Sequence, residues 1–318
     1  MKKKPIKTGP SLVDYAKALA RLLTVAPGKA IELSKLSDSP VRLLRRLNKL
    51  EPQDRAVVAD NLQLLMQISP AQFPLVRMFV QRWTMQHMDP HVASIIEFVA
   101  PFTLTQWENL QSLCESIRYL SENSIAGAIV ECGVWKGGSM MAAAQMLAHM
   151  GDMTRKIYLC DTFQGMSEPS DHDIELHSGK TADELLGDRS KNESYMAYAS
   201  LEEVKNNMDR CAYPKDLITY VKGPVEETLE NLDTGPIALL RLDTDWYEST
   251  ACELEQLFPR LVDHGILIID DYGHFAGAKK AVDEFVAKQG KPIFLHRIDY
   301  SARLIVKTSG LSQTGRPD

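Results

Sequence analysis

The feature that most constrains this chain is an alternation that begins near Ile125. Short apolar, β-branched runs recur as "AGAIVECG", "RKIYLCDTF", "DLITYVKG", "PIALLRLDTD" and "GILIIDDYG". Between them lie "GGSMMAAAQMLAHM", "LEEVKNNM", "STACELEQLFPRLVD" and "GAKKAVDEFVAK", whose periodicity is helical. Runs without polar alternation are buried on both faces, and strands joined by helical crossovers pair in parallel. Two further runs, "KPIFLHRI" and "ARLIVKTS", are separated only by Asp299-Tyr300-Ser301. A parallel return needs a dozen or more residues, so these two must be antiparallel neighbours. The pattern predicts a doubly wound, seven-stranded α/β sheet whose last strand is antiparallel.

This layout resembles the Rossmann-like class I methyltransferases that use S-adenosylmethionine. A nicotinamide-binding sheet would instead have six parallel strands. Up to about residue 98 the pattern is helical: "SLVDYAKALARLL" puts Leu12, Tyr15, Leu19 and Leu22 on one face, with Ser11 as an N-cap. Pro27, Pro40, Pro52 and Pro70 break this region into segments. The expected organisation is a helical extension over 1–98, serving oligomerisation or acceptor coverage, a methyltransferase domain over 99–308 and a polar tail over 309–318.

The 318 residues carry a net charge of -6, which gives no reason to expect nucleic acid or an anionic membrane as partner. Lys17 and Arg21 interrupt any secretory signal, and no window approaches the roughly 18 apolar residues of a membrane span. The five cysteines are scattered singly, which suits reduced thiols and a cytoplasmic location.

The first strand runs into "VECGVWKGGS", whose glycines do not match the dinucleotide G-x-G-x-x-G spacing. Doubly wound folds bind ligands at the carboxyl ends of their strands. Gly133, Gly137 and Gly138 would let backbone approach a ligand, and Ser139 is expected to cap the following helix. One strand later, Asp161 stands where a carboxylate can accept both hydroxyls of a ribose, with Phe163 beside it. Glu131 is expected to support the turn or to partner the positively charged methionine end of the cofactor. Gly223 and Glu226 lie at another strand end, on the adenine side. Each feature alone is also compatible with an ordinary βα turn; together they favour an adenosine-containing cofactor.

The segment "IALLRLDTDWYEST" ends a strand in Asp243 and Asp245, and the next strand ends in Asp270-Asp271. Adjacent parallel strands would deliver four carboxylates to one edge. Like charges raise one another's pKa unless something positive sits among them. A hard divalent cation such as Mg²⁺ resolves that conflict, whereas helix capping could account for any single one of the four. Arg241, inside the strand, is a further candidate for neutralising them. Trp246 and Tyr247 could wall an acceptor pocket or belong to the core, and Thr105 and Trp107 could line its entrance.

"VECGVWKGGS", "DTFQGM", "LRLDTDWYEST" and "IIDDYGH" followed by "KAVDEF" resemble the macrocin O-methyltransferase family over about residues 103–307. The resemblance implies Mg²⁺- and S-adenosylmethionine-dependent methylation of sugar hydroxyls on natural products. It also implies that Asp243, Asp270 and Asp271 hold the metal and that Asp245 is the general base, the split between Asp243 and Asp245 being open. The stretch after Asp161, with His172 and His177, departs from the family pattern and leaves the acceptor open. His172 is an alternative base there, or is simply solvated.

The expected partner is a hydroxylated, sugar-bearing small molecule, and the expected assembly a homo-oligomer. Competing readings are methylation of a non-sugar vicinal diol, a metal-dependent hydrolase with no methyl donor, and a non-catalytic binding module.

Overall fold

The computed structural model describes residues 88–187 and 197–309, almost wholly within one unit, His91–Asp318. The helical periodicities read before residue 88 and the tail after 309 lie outside the described residues. Helices α1 (Pro90–Val99) and α2 (Trp107–Glu122) precede strand β1 (Ala128–Cys132). There follow α3 (Gly138–Met150), β2 (Ile157–Asp161), α4 (Ala182–Leu186), α5 (Leu201–Met208), β3 (Ile218–Lys222) and α6 (Val225–Thr228). The chain continues through β4 (Ile237–Leu242), α7 (Tyr247–Leu257), β5 (Leu261–Ile269), α8 (Ala276–Lys288), β6 (His296–Arg297) and β7 (Arg303–Val306).

The strands form one seven-stranded sheet in the order β3-β2-β1-β4-β5-β7-β6. β1 to β5 pair in parallel and β7 is antiparallel to both neighbours, as the short Asp299–Ser301 connection requires. β1 and β4 are buried at every position, which explains why both read as unbroken apolar runs. Chain order reverses between β1 and β4, so a crevice opens at their carboxyl ends.

Two expectations about element boundaries are corrected. "STACELEQLFPRLVD" is not one helix: Pro259 cannot donate to the helical ladder, the chain passes through one tight turn at Phe258–Arg260, and Leu261 already begins β5. "KPIFLHRI" shrinks to the two residues of β6, which has β7 as its single neighbour at the sheet edge. Phe294 there remains 82% exposed.

All five cysteines are unpaired, and four of them are buried. Among the described residues, no helix is long and apolar enough to cross a membrane.

Candidate active site

The glycine turn after β1 is shaped by close backbone contact. Gly133 has φ +80° and donates its amide to the Cys160 carbonyl at 3.0 Å, continuing the ladder between β1 and β2. A Cβ on Gly138 would lie 2.6 Å from the Phe102 carbonyl oxygen, so only glycine lets α3 start this close to the chain before α2. The expectation that Ser139 caps α3 is corrected: the N-cap is Gly137, at φ +90°, and no side chain caps the helix. The Ser139 hydroxyl instead lies 3.4 Å from that of Thr105.

Asp161, the last residue of β2, ties this turn together. Its Oδ2 accepts from the amides of Val134 (2.7 Å) and Trp135 (3.2 Å), and its Oδ1 from that of Phe163 (2.6 Å). Trp135 and Phe163 both have positive φ, so the carboxylate secures two strained positions at once. Burial pushes the Asp161 pKa up, and the three amides pull it back. Gly223 donates its amide to the Asp161 carbonyl, which brings the loop after β3 to the same edge; Glu226 opens α6 there, exposed.

Glu131 and Arg241 face each other in register on β1 and β4, both buried. Arg241 Nη1 donates to Glu131 Oε1 (2.9 Å) and Asp243 Oδ2 (2.5 Å), and Nη2 to Asp270 Oδ1 (2.8 Å) and Thr105 Oγ1 (3.0 Å). These acids hold the guanidinium charged against its own burial. Burial pushes the Glu131 carboxyl up to about 8 despite Arg241, and its Oε2 has no hydrogen-bond partner among the described residues.

Asp243, Asp270 and Asp271 each present an oxygen within 4.8 Å of the others. Burial and mutual repulsion push Asp270 and Asp271 well above the carboxylate range. Asp245 sits beside them at φ +69°, its amide 3.3 Å from Asp271 Oδ2, and burial lifts its pKa to about 7. A set of hard oxygens with so much unrelieved negative charge can take a divalent cation.

The remaining sequence candidates are more dispersed. His172 is exposed, its ring edge-on to Tyr247 with centroids 4.9 Å apart. Trp246 belongs to a small core with Ala182, Leu186, Phe275 and Ala278, and its indole donates to the Ser167 carbonyl. Thr105 is buried among the acids rather than at an entrance. Asn109 escaped the sequence reading, although an asparagine on the stripe of Leu113 and Leu120 in α2 was a signal. Asp173 was missed as well; it is fully buried and hydrogen-bonded to the amide of Tyr247.

The β3-β2-β1-β4-β5-β7-β6 sheet, with a glycine turn and an acid cluster at its carboxyl edge, has the layout of the class I methyltransferases. The family model for macrocin-O-methyltransferase (TylF) matches residues 92–306. The chain therefore belongs to that family and is an S-adenosylmethionine-dependent O-methyltransferase.

It is 33% identical over 193 residues, 59% of this chain and 67% of the relative, to 8-demethyl-8-(2,3-dimethoxy-alpha-L-rhamnosyl)-tetracenomycin-C 4'-O-methyltransferase of Streptomyces olivaceus. It is 27% identical over 188 residues, 59% of this chain and 71% of the relative, to mycinamicin III 3''-O-methyltransferase of Micromonospora griseorubida. Among solved structures, the O-methyltransferase NovP superposes with a TM-score of 0.57 at 27% identity, covering 65% of this chain and 82% of NovP. The calicheamicin methyltransferase CalS11 shares the fold, with a TM-score of 0.52 at 20% identity over 83% of this chain and 96% of that one.

Proposed function

We propose that the chain methylates a hydroxyl of a sugar or glycosylated small molecule, with Mg²⁺ held by carboxylates beside the methyl donor. The observation that carries this reading is the convergence of Asp243, Asp270 and Asp271 at the exits of adjacent parallel strands, next to the glycine turn. The name of the Streptomyces olivaceus relative specifies a rhamnosyl-bearing substrate, and a sugar with neighbouring hydroxyls is the acceptor proposed for this chain.

The residues present fit both groups. Glu131, Asp243 and Asp270 share a single guanidinium, and Asp271 and Asp245 lie beside them without one, so negative charge is left over for a cation, and every donor atom is a hard oxygen. The orphaned Oε2 of Glu131 is a buried acceptor suited to the ammonium end of the methyl donor.

When bound, S-adenosylmethionine supplies an electrophilic methyl group and Mg²⁺ supplies charge that orients and acidifies the acceptor. Asp243, Asp270 and Asp271 would hold the cation, and Asp245 would take the acceptor's proton, a contribution of about 10²–10⁴-fold. Gly133, Gly137 and Ser139 would lie against the methionine end of the donor, Asp161 and Phe163 against its ribose, and Gly223 and Glu226 near its adenine. His172, on Tyr247, is the alternative base. The extension over 1–98 would serve as acceptor cover or oligomerisation surface in a cytoplasmic homo-oligomer, which its deletion tests through solution mass and turnover.

The central test titrates S-adenosylmethionine into wild type and Asp161→Ala, and Mg²⁺ into wild type and Asp270→Ala/Asp271→Ala. Wild type is then incubated with both and a panel of deoxysugar glycosides, with product mass followed. Binding should fail in each variant for its own ligand, and one methyl should be added per acceptor. Turnover that is indifferent to chelation sinks the metal role; methylation of non-sugar diols alone sinks the sugar assignment.

A further inference from the structure

Asn109 sits in the middle of the described acid network without belonging to any strand end. It lies on the buried face of α2, 1% exposed, and its amide Nδ2 donates to Asp270 Oδ1. Arg241 Nη2 donates to the same oxygen. Turning the amide over would press its oxygen against the carboxylate, so this is the orientation the chemistry allows.

We propose that Asn109, with Thr105 behind it, is a positioning residue for the cation ligands: it fixes the rotation of the Asp270 carboxylate. The inference rests on the Mg²⁺ reading above and extends it to α2. Two donors converging on Oδ1 leave Oδ2 as the oxygen they do not occupy. Thr105 Oγ1 holds Arg241 Nη2 from the other side and touches Ser139, so the clamp is itself braced against the helix that follows the glycine turn.

Folding alone would choose a different residue at 109. Asparagine is a poor helix former, and this one leaves its own Oδ1 buried without a partner among the described residues. Its buried neighbours on α2 include Leu110, Leu113 and Leu120. An apolar side chain there would serve α2 better, and the polar one serves the acid it touches.

The test measures two quantities that this proposal drives in opposite directions. Asn109→Leu should melt no lower than wild type without ligands, yet bind Mg²⁺ about tenfold more weakly by calorimetry, with S-adenosylmethionine affinity unchanged. Thr105→Val, which alters no charge, should also weaken Mg²⁺ binding. Should Asn109→Leu fail to fold, Asn109→Ala removes the donor with less bulk and should show the same loss. Equal Mg²⁺ affinity in wild type and variants overturns the proposal, as does a loss of stability and of both affinities in step. Wild type that binds S-adenosylmethionine but no Mg²⁺ instead overturns the metal reading, and the proposal with it.

Discussion

A Cβ on Gly133 would stand 1.8 Å from the carbonyl oxygen of Asp243, so the glycine turn and the acid loop meet backbone to backbone. The Asp243 amide reaches across the same seam to the Cys132 carbonyl, at 2.8 Å. The two loops are therefore coupled, which ties the proposed donor and cation half-sites to one piece of main chain.

Gly133→Ala tests that contact. The substitution meets a backbone atom that cannot rotate away, at a φ of +80° that disfavours any side chain. The expected cost is about 3 kcal/mol, read as a lower denaturant midpoint together with weakened S-adenosylmethionine binding. A variant with wild-type midpoint and affinity would show that the two loops do not touch.

Asp161 carries a different prediction. Because its carboxylate accepts three backbone amides, Asp161→Asn turns a side-chain NH2 donor toward backbone donors and should lower the stability of the ligand-free protein by about 2 kcal/mol. An acid that served only a ribose would leave the ligand-free midpoint where it was. Urea titration without S-adenosylmethionine separates the two roles.

The parallel strands were legible because buried strands of this kind leave unbroken apolar runs, and the strand-end acids because charge at the edge of such runs is conspicuous. Arg241 could be named as a neutraliser from its place before Asp243. Its simultaneous hold on Glu131 and Thr105 depends on the β1–β4 register, which no local pattern encodes. Asn109 is 161 residues from Asp270, and only the packing of α2 over the strand ends brings them together. The Ser139 cap failed because serine is an excellent N-cap by type, while the chain used a left-handed glycine two residues earlier.

Glu253 on α7 gives a prediction in pH. It is fully buried, and neither carboxylate oxygen has a hydrogen-bond partner among the described residues. Burial raises its pKa well above the usual value; the neighbouring Thr244 hydroxyl pulls it back, and Glu226, Cys160 and Asp271 add to the rise. The folded state therefore binds this proton more tightly than the unfolded state. That contribution to stability is present at low pH and is lost as pH rises from the unfolded value toward the folded one. Glu253→Gln removes the dependence, so its advantage over wild type should grow by about 1 kcal/mol per pH unit above pH 5. Denaturant midpoints of both proteins in chelator, from pH 5 to 8, check this; parallel curves would mean that Glu253 is ionised in the fold.

Asp173 governs the segment after β2. Its Oδ2 accepts from the Ser170 amide (2.7 Å) and hydroxyl (2.9 Å), and its Oδ1 from the Tyr247 amide (2.8 Å) that opens α7. A Cβ on Gly277 would fall 1.9 Å from that Oδ1, so α8 closes over the carboxylate as well. The segment is thus bolted beside the loop that carries Asp243 and Asp245, and is held again where Glu175 bridges to Phe275. Asp173→Ala leaves the Ser170 and Tyr247 amides without their acceptor and should cost about 2–3 kcal/mol locally. Hydrogen exchange should then quicken across 167–186 while β1, β4 and β5 keep their protection. Unchanged exchange in 167–186 would mean that this wall of the site is held by something other than Asp173.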